Sequence, residues 1–335
     1  MTSERKTGVV LWAGIGRQAI AERLARADVI DLRVVDDIDG LETALPGAAI
    51  LALPSYHYSG EVARLIDRRG SGLGLLQLLT AGYEQVERHG VPATLTVANA
   101  SPAMAPPVAE HAIALLLALA RNLPAMIGRQ REKRWERGDL RALRSLSGAK
   151  VAIVGLGAIG REVARRLRGF GAHVIAVSRA AHGDPLADAV IPLDRLDDAL
   201  ALADAVILSL PYTAANHHLI GARALARLRR GALLVNVARG GLVDTDAVVA
   251  ALESGHLGGF ATDVAETEPL PSSSPLWSAP NSLITPHVAA ADGDAGLRRL
   301  AEFAASNILR HIAGEGAGSI VSLPQPAGAA GGDRP

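Results

Sequence analysis

The 335-residue chain balances 34 lysines and arginines against 34 aspartates and glutamates, a formal charge of zero that points away from nucleic acid and anionic membrane as partners. It has no cysteine, which excludes disulfides, thiolate catalysis and cysteine-based metal sites; no metal is expected. At 49% hydrophobic and 20% charged residues, the composition is that of a soluble globular protein long enough for two domains. Met1 to Thr7 is polar and lacks the apolar core of a signal peptide, so a cytoplasmic location is expected.

In chain order, Gly8 to Trp12 reads as a strand that meets Gly14-Ile15-Gly16, and a helix follows to about Ala27. Val29 to Val35 reads as a second strand ending at Asp36. This is half of a dinucleotide fingerprint, acidic residue included. With two glycines only, it is read as an ordinary strand–loop–helix. Ala48 to Leu53 is a buried-type strand, followed by Pro54-Ser55-Tyr56-His57-Tyr58 and a helix to about Arg69. Leu73 to Leu79 is another strand, ending in Thr80-Ala81-Gly82-Tyr83. Strands separated by helices imply a parallel sheet covered on both faces. Ligands of such sheets lie beyond the carboxyl ends of the strands. Tyr56, His57, Tyr58, Ala81 and Gly82 fall at such ends. His57 reads as a surface-loop residue, and Tyr56 and Tyr58 are candidates to line a side-chain pocket.

Leu95 to Asn99 is a short strand, and the breaker-rich Ala100 to Pro107 follows. Proline suits a first helical turn, so a domain-crossing helix is expected from near Pro107 to about Arg121. Its most apolar part, Ala112 to Ala120, is too short to span a bilayer. The arginine-rich Arg129 to Leu146, with Trp135, reads as a solvated helix or arm.

Val151 to Val154 then runs straight into Gly155-Leu156-Gly157-Ala158-Ile159-Gly160. A helical pattern follows, with Val163, Ala164, Leu167 and Phe170 on one face, and then the apolar run Val174 to Val177. Strand, glycine turn, helix, strand is the context that makes this pattern a dinucleotide-binding fingerprint. Gly155 allows the tight turn, Gly157 lets backbone approach a pyrophosphate, and Gly160 lets helix pack close to strand. The helix N-terminus, through Ala158 and Ile159, offers N–H groups and a positive dipole end to phosphate. Further strands are expected at about Val190–Ile191, Ala205–Leu210, Leu233–Val237, Gly259–Val264 and Ser282–Thr285. A helix from Ala290 to about Ala313 returns to the first domain. The expected organisation is a discontinuous domain, 1–106 plus 290–323, a dinucleotide domain, 107–289, and a disordered Pro/Gly/Ala-rich tail, 324–335.

Four chemistry-bearing stretches follow the glycine turn: Leu210-Pro211-Tyr212-Thr213, Val235 to Gly241, Thr262 to Pro269, and Ile284 to His287. Reduction of a ketone by a nicotinamide needs a proton donor titrating near neutrality, which a histidine supplies. A substrate carboxylate needs a planar bidentate donor, which an arginine supplies. A carboxylate against the histidine fixes its ring. His287, Arg239 and Glu268 fit these three roles, and Asp263 is left to accept from the nicotinamide carboxamide.

The segments LLTAGYEQV, VAEHAIALLLALAR, VGLGAIGREVARRLRGFGAHV, LADAVILSLPYTAANHHLI, LRRGALLVNVARGGLVD, DVAETEPLP and TPHVAA resemble the D-2-hydroxyacid dehydrogenase family, from Ala48 to about Val321. The resemblance implies an α/β fold of two Rossmann/flavodoxin-like domains with doubly wound parallel sheets, joined by two crossing helices, with catalysis in the cleft. It implies that Arg239 anchors the substrate carboxylate and carbonyl, that Glu268 partners the acid, and that His287 donates the proton. Asp263 then contacts the nicotinamide. Leu210, Pro211, Thr213 and Val237 line the cofactor, backbone N–H groups of Ala81 and Gly82 complete the carboxylate site, and Tyr56 faces the substrate. A homodimer is implied, served by the helix from Val108 and the arm near Trp135.

Two departures from the family pattern matter. After Val177 come Ser178 and Arg179, where NAD-preferring members have an aspartate that binds the ribose 2′-hydroxyl. A hydroxyl and a cation there lead to the expectation of NADP(H) as the preferred cofactor, with NAD(H) possible. The residue before Gly82 is Ala81, not the lysine of phosphite dehydrogenases. No regulatory extension of the kind found on many phosphoglycerate dehydrogenases is expected. A small 2-keto or 2-hydroxy acid is the expected substrate. The competing reading is a non-catalytic, dinucleotide-sensing protein like the corepressors that share this fold; no basic stripe supports it.

Overall fold

The computed structural model describes residues 6–14, 16–138, 140–179 and 183–323. Its elements in chain order are β1 (Thr7–Leu11), α1 (Arg17–Ala25), β2 (Ile30–Val34), α2 (Ile38–Ala44), β3 (Ala48–Leu53), α3 (Gly60–Arg69), β4 (Leu75–Leu78), α4 (Glu84–His89), β5 (Thr96–Ala98) and α5 (Ser101–Ala120). There follow α6 (Leu123–Arg131), β6 (Lys150–Val154), α7 (Ala158–Gly169), β7 (His173–Ser178), β8 (Ala189–Pro192), α8 (Leu196–Leu202) and β9 (Ala205–Leu208). The chain continues through α9 (Ala222–Arg227), β10 (Ala232–Asn236), α10 (Thr245–Glu253), β11 (Leu257–Thr262), β12 (Ser282–Ile284) and α11 (Gly293–Ile312). It divides into two compact units, residues 1–104 with 292–335, and 105–291. The expected tail, 324–335, lies outside the described residues.

The first unit holds a five-stranded parallel sheet in the order β2-β1-β3-β4-β5. Successive strand residues point to opposite faces, as the period of two demands. Val9, Leu11, Ile50 and Ala52 join one apolar layer, while Val10, Leu51 and Leu53 join the other. Helix α11 closes the first layer with Leu300, Ala304 and Ile308. It is keyed there by a buried amide pair: Asn307 Nδ2 donates to Gln77 Oε1 on β4 at 2.6 Å and to Gly318 O at 3.0 Å. Satisfying each other, these amides avoid the cost of burying unpaired polar groups.

The second unit holds a seven-stranded parallel sheet in the order β12-β11-β10-β9-β6-β7-β8. Val151 and Ile153 face one layer; Ala152 and Val154 face the other. The chain direction across the sheet reverses between β6 and β9, the position where such sheets bind ligands.

Several local expectations change. Helix α5 begins at Ser101, not near Pro107, and carries Pro106 and Pro107 inside it. Proline cannot donate to the carbonyl four residues back. The carbonyl Pro107 would have used, Ala103 O, instead accepts Arg299 Nε at 2.7 Å. The resulting 20-residue helix is long and apolar enough to cross a membrane by length and composition, but most of it is buried in the protein as a core helix. Val108, Ala112, Leu115 and Leu116 are packed inside the second unit. Trp135, beyond α6, is fully exposed. Phe170, expected on the buried face of α7, is 43% exposed because the helix ends before it and it caps the turn. Tyr58 is buried, its hydroxyl donating to Gly90 O at 2.7 Å, so it is a core residue and not a pocket wall. His57 is not a free surface residue: its ring packs against Trp12 at 4.6 Å and its Nδ1 is buried without a hydrogen-bond partner.

Candidate active site and dinucleotide turn

The three glycines after β6 are required by three different constraints. Gly155 has φ +102°, and a Cβ there would lie 2.7 Å from the backbone nitrogen of Leu210, which follows β9. A Cβ on Gly160 would lie 2.0 Å from Gly155 O, so only glycine lets α7 lie this close to β6. Ser209 Oγ ties the turn by donating to Gly155 O at 2.7 Å. Gly157, in contrast, has no protein atom within 4 Å of a built Cβ. Nothing in the protein requires glycine there, but a ligand approaching the backbone would. No side chain caps the start of α7, so its first N–H groups are available to an anion. The residues present therefore fit a dinucleotide. Leu210 and Val237 are buried residues just past the ends of β9 and β10. Asn216 braces the Pro211–Thr213 loop, donating to Pro211 O and accepting from Thr213 N.

At the end of β7, Ser178 is half-buried and Arg179 exposed. The next described carboxylate, Asp184, is buried and bound by Arg161 of α7 at 2.5 Å.

His287, Glu268 and Arg239 follow β12, β11 and β10, three neighbouring strands. His287 Nδ1 and Glu268 Oε2 are 2.7 Å apart, and Glu268 Oε1 accepts from Ala265 N at 3.0 Å. One carboxylate oxygen thus anchors the glutamate and the other orients the imidazole through Nδ1, so that Nε2 is the ring nitrogen left able to exchange a proton with a ligand. His287 has φ +54°, a backbone conformation that costs a non-glycine residue energy and is stored at functional sites. Asp263 holds it there. Asp263 O accepts from His287 N at 2.7 Å, and its buried carboxylate accepts from Val288 N, Ala289 N and the Thr285 hydroxyl. Asp263 is thus not left free: three of about four acceptor positions are used internally. His111 Nε2 on α5 completes the group, 2.9 Å from Thr285 Oγ1. Asp263, Glu268, Leu270, Trp277 and His287 border a cavity of about 440 Å³.

Arg239 is half-buried, with one guanidinium nitrogen 2.7 Å from Ala238 O. Asn236, which sequence reasoning missed, shapes its turn by donating to Arg239 O at 2.9 Å and accepting from Ala238 N at 3.0 Å. A short amide at a strand end ahead of glycines was the available signal. A Cβ on Gly240 would overlap Ala265 C at 1.9 Å, so the Arg239 turn lies directly on the loop that carries Glu268. The second unit therefore carries all three catalytic candidates, each beyond the carboxyl end of one of three neighbouring strands. Tyr56, Ala81 and Gly82 belong to the first unit. Tyr56 is exposed. The carbonyls of Ala81 and Gly82 accept from Asn99 and Thr80, while among the described residues neither N–H is engaged.

A parallel sheet with this glycine turn at its point of reversal defines a dinucleotide-binding protein of the doubly wound α/β class. Residues 113–289 match the family described as D-isomer specific 2-hydroxyacid dehydrogenase, NAD binding domain, and the chain belongs to that family. It is 36% identical over 291 residues to a D-3-phosphoglycerate dehydrogenase of Mycobacterium tuberculosis, covering 82% of this chain and 53% of the relative. The chain thus spans about half the length of the phosphoglycerate dehydrogenases it matches. It is 32% identical over 250 residues to a glyoxylate reductase of Korarchaeum cryptofilum, covering 72% of this chain and 74% of that one. A solved D-isomer specific 2-hydroxyacid dehydrogenase from Xanthobacter autotrophicus Py2, in complex with NADPH and MES, superposes with a TM-score of 0.81 at 30% identity, covering 95% of this chain and 98% of that chain.

Proposed function

We propose that this protein reduces a small 2-keto acid to the D-2-hydroxy acid with NADP(H) as the preferred cofactor. The observation that carries the reading is the His287–Glu268 pair, 2.7 Å apart at the end of β12 and β11. The bound nicotinamide supplies or takes the hydride. His287 Nε2 gives the proton to the carbonyl oxygen, and the proton returns to it in the reverse direction. Glu268 holds the ring and balances the charge of the imidazolium. Arg239 offers a planar fork to the substrate carboxylate, which a point charge cannot replace. The N–H groups of Ala81 and Gly82, and the ring of Tyr56, are assigned to the same acid, and Asp263 offers its remaining lone pair to the carboxamide.

The cofactor preference rests on Ser178 and Arg179 where an acid would repel a 2′-phosphate. Asp184 does not supply that acid, because Arg161 already neutralises it. The solved relative bound to NADPH supports the same choice. A panel of 2-keto acids, run with NADPH and NADH, tests the proposal. Turnover of at least one acid with higher kcat/KM for NADPH is expected, and Arg179→Ala should reduce that preference by about tenfold, one charge-assisted contact. Tight NADPH binding with no turnover of any acid would favour a dinucleotide sensor instead.

A further inference from the structure

Outside the His287–Glu268 pair, among the described residues one group of three ligating side chains converges: His217, His218 and Glu266. Their donor atoms all lie within 4.8 Å of one another. His218 Nε2 is 3.2 Å from Glu266 Oε1, and His217 Nε2 is 3.7 Å from the same oxygen. Ligands about 2.0–2.1 Å from a tetrahedral zinc ion are themselves roughly 3.3 Å apart, close to both histidine–glutamate separations, and the rings need to turn so that both Nε2 lone pairs meet at one centre. The two imidazoles are stacked with centroids 3.8 Å apart, and the Nε2 of each lies near the same carboxylate oxygen. A second observation points the same way. Tyr212 Oη lies 3.2 Å from His217 Nδ1, so the far ring nitrogen is already engaged by an outer partner and Nε2 is left as the ligating atom.

We propose that His217, His218 and Glu266 form a binding site for a zinc-class divalent cation. Two neutral imidazoles and a carboxylate are a zinc donor set, and the exposed side of the cluster leaves a fourth position for water. The site spans two loops, one after β9 and one after β11. The first is already fixed to the Arg239 turn, since His218 N donates to Gly241 O at 2.8 Å. The second carries Glu268 two residues beyond Glu266. Occupancy therefore staples the loop of the proposed acid's partner to its neighbours.

The test is titration of ZnCl₂ into the tag-free, chelator-treated full chain, followed by calorimetry and by thermal unfolding. One equivalent bound saturably, with a Tm that rises with zinc, is expected. His217→Gln, on an exposed ring, and Glu266→Gln should each weaken binding by on the order of a hundredfold and remove the Tm shift. Tyr212→Phe should weaken it by about tenfold, as loss of an outer partner does. Absence of saturable binding would overturn the proposal. So would undiminished zinc binding in both His217→Gln and Glu266→Gln, which would place the ion at others of the ten histidines.

Discussion

The molecule contains two glycine turns between a first strand and a first helix, and only the second carries the full three-glycine fingerprint of a dinucleotide site. After β1, Gly16 takes φ +77°, and a Cβ there would touch Leu297 of α11, so that glycine serves internal packing. The acid at the end of β2, Asp36, is consumed by an ion pair with Arg17 at the start of α1. After β6, two glycines serve internal packing as well, but Gly157 faces open space, and the position after β7 holds Ser178 and Arg179 rather than an acid. The lesson is that an unhindered glycine does not by itself mark a binding turn, since Gly14 faces open space as Gly157 does; the second turn differs in the close approach of α7 to β6 that Gly155 and Gly160 permit, and in the residues at the end of its second strand.

The comparison can be broken or sharpened by substitution. The largest effect should come from His287→Ala, which removes the proposed proton donor on the second unit. We expect kcat to fall by about 10²–10⁴-fold, with NADPH affinity nearly unchanged in a fluorescence titration. Next, Gly160→Ala forces a Cβ onto Gly155 O and should cost roughly 3 kcal/mol, seen as a lower urea midpoint. A stable Gly160→Ala protein would show that the turn is looser than its packing implies. Gly157→Ala and Gly14→Ala form a matched pair, since neither Cβ meets a protein atom. Both should alter stability by less than about 0.5 kcal/mol, but only Gly157→Ala should weaken dinucleotide binding, by about tenfold or more. Equal dinucleotide affinities in the two variants would erase the distinction between the turns.

The smallest effect concerns His57. Burial holds its pKa below the ordinary histidine value of 6.5, against a smaller opposing contribution from the Trp12 backbone. The unfolded chain therefore takes up this proton first. The contribution of His57 is fully present above pH 6.5 and declines as pH falls below it. His57→Phe should flatten a shallow part of the stability–pH curve in that range, measured by urea unfolding. An unchanged slope would mean that the ring is solvated.

Most of the architecture was legible from periodicity, because a parallel strand buried on both faces is a continuous apolar run, as in Val151–Val154 and Ala48–Leu53. The candidates Arg239, Glu268 and His287 were legible because each stands just past such a run. What escaped depended on partners distant in sequence. The start of α5 was misplaced because Arg299, almost 200 residues away, satisfies the carbonyl that Pro107 strands. Tyr58 and Tyr56 look alike in sequence, yet only Tyr58 finds the Gly90 carbonyl and becomes core. The internal duties of Asp263 and the meeting of His217 and His218 with Glu266 likewise require the third dimension.

The amide clasp between Asn307 and Gln77 has a consequence for synthesis. A ribosome synthesises the whole of residues 105–291 before it makes the helix that seals the first sheet. The earlier-born sheet must wait, with one apolar face covered only in part by α1, for a segment translated last. Released chains truncated just before Gly293 should thus present a finished second lobe and an unfinished first one, the reverse of their order of birth.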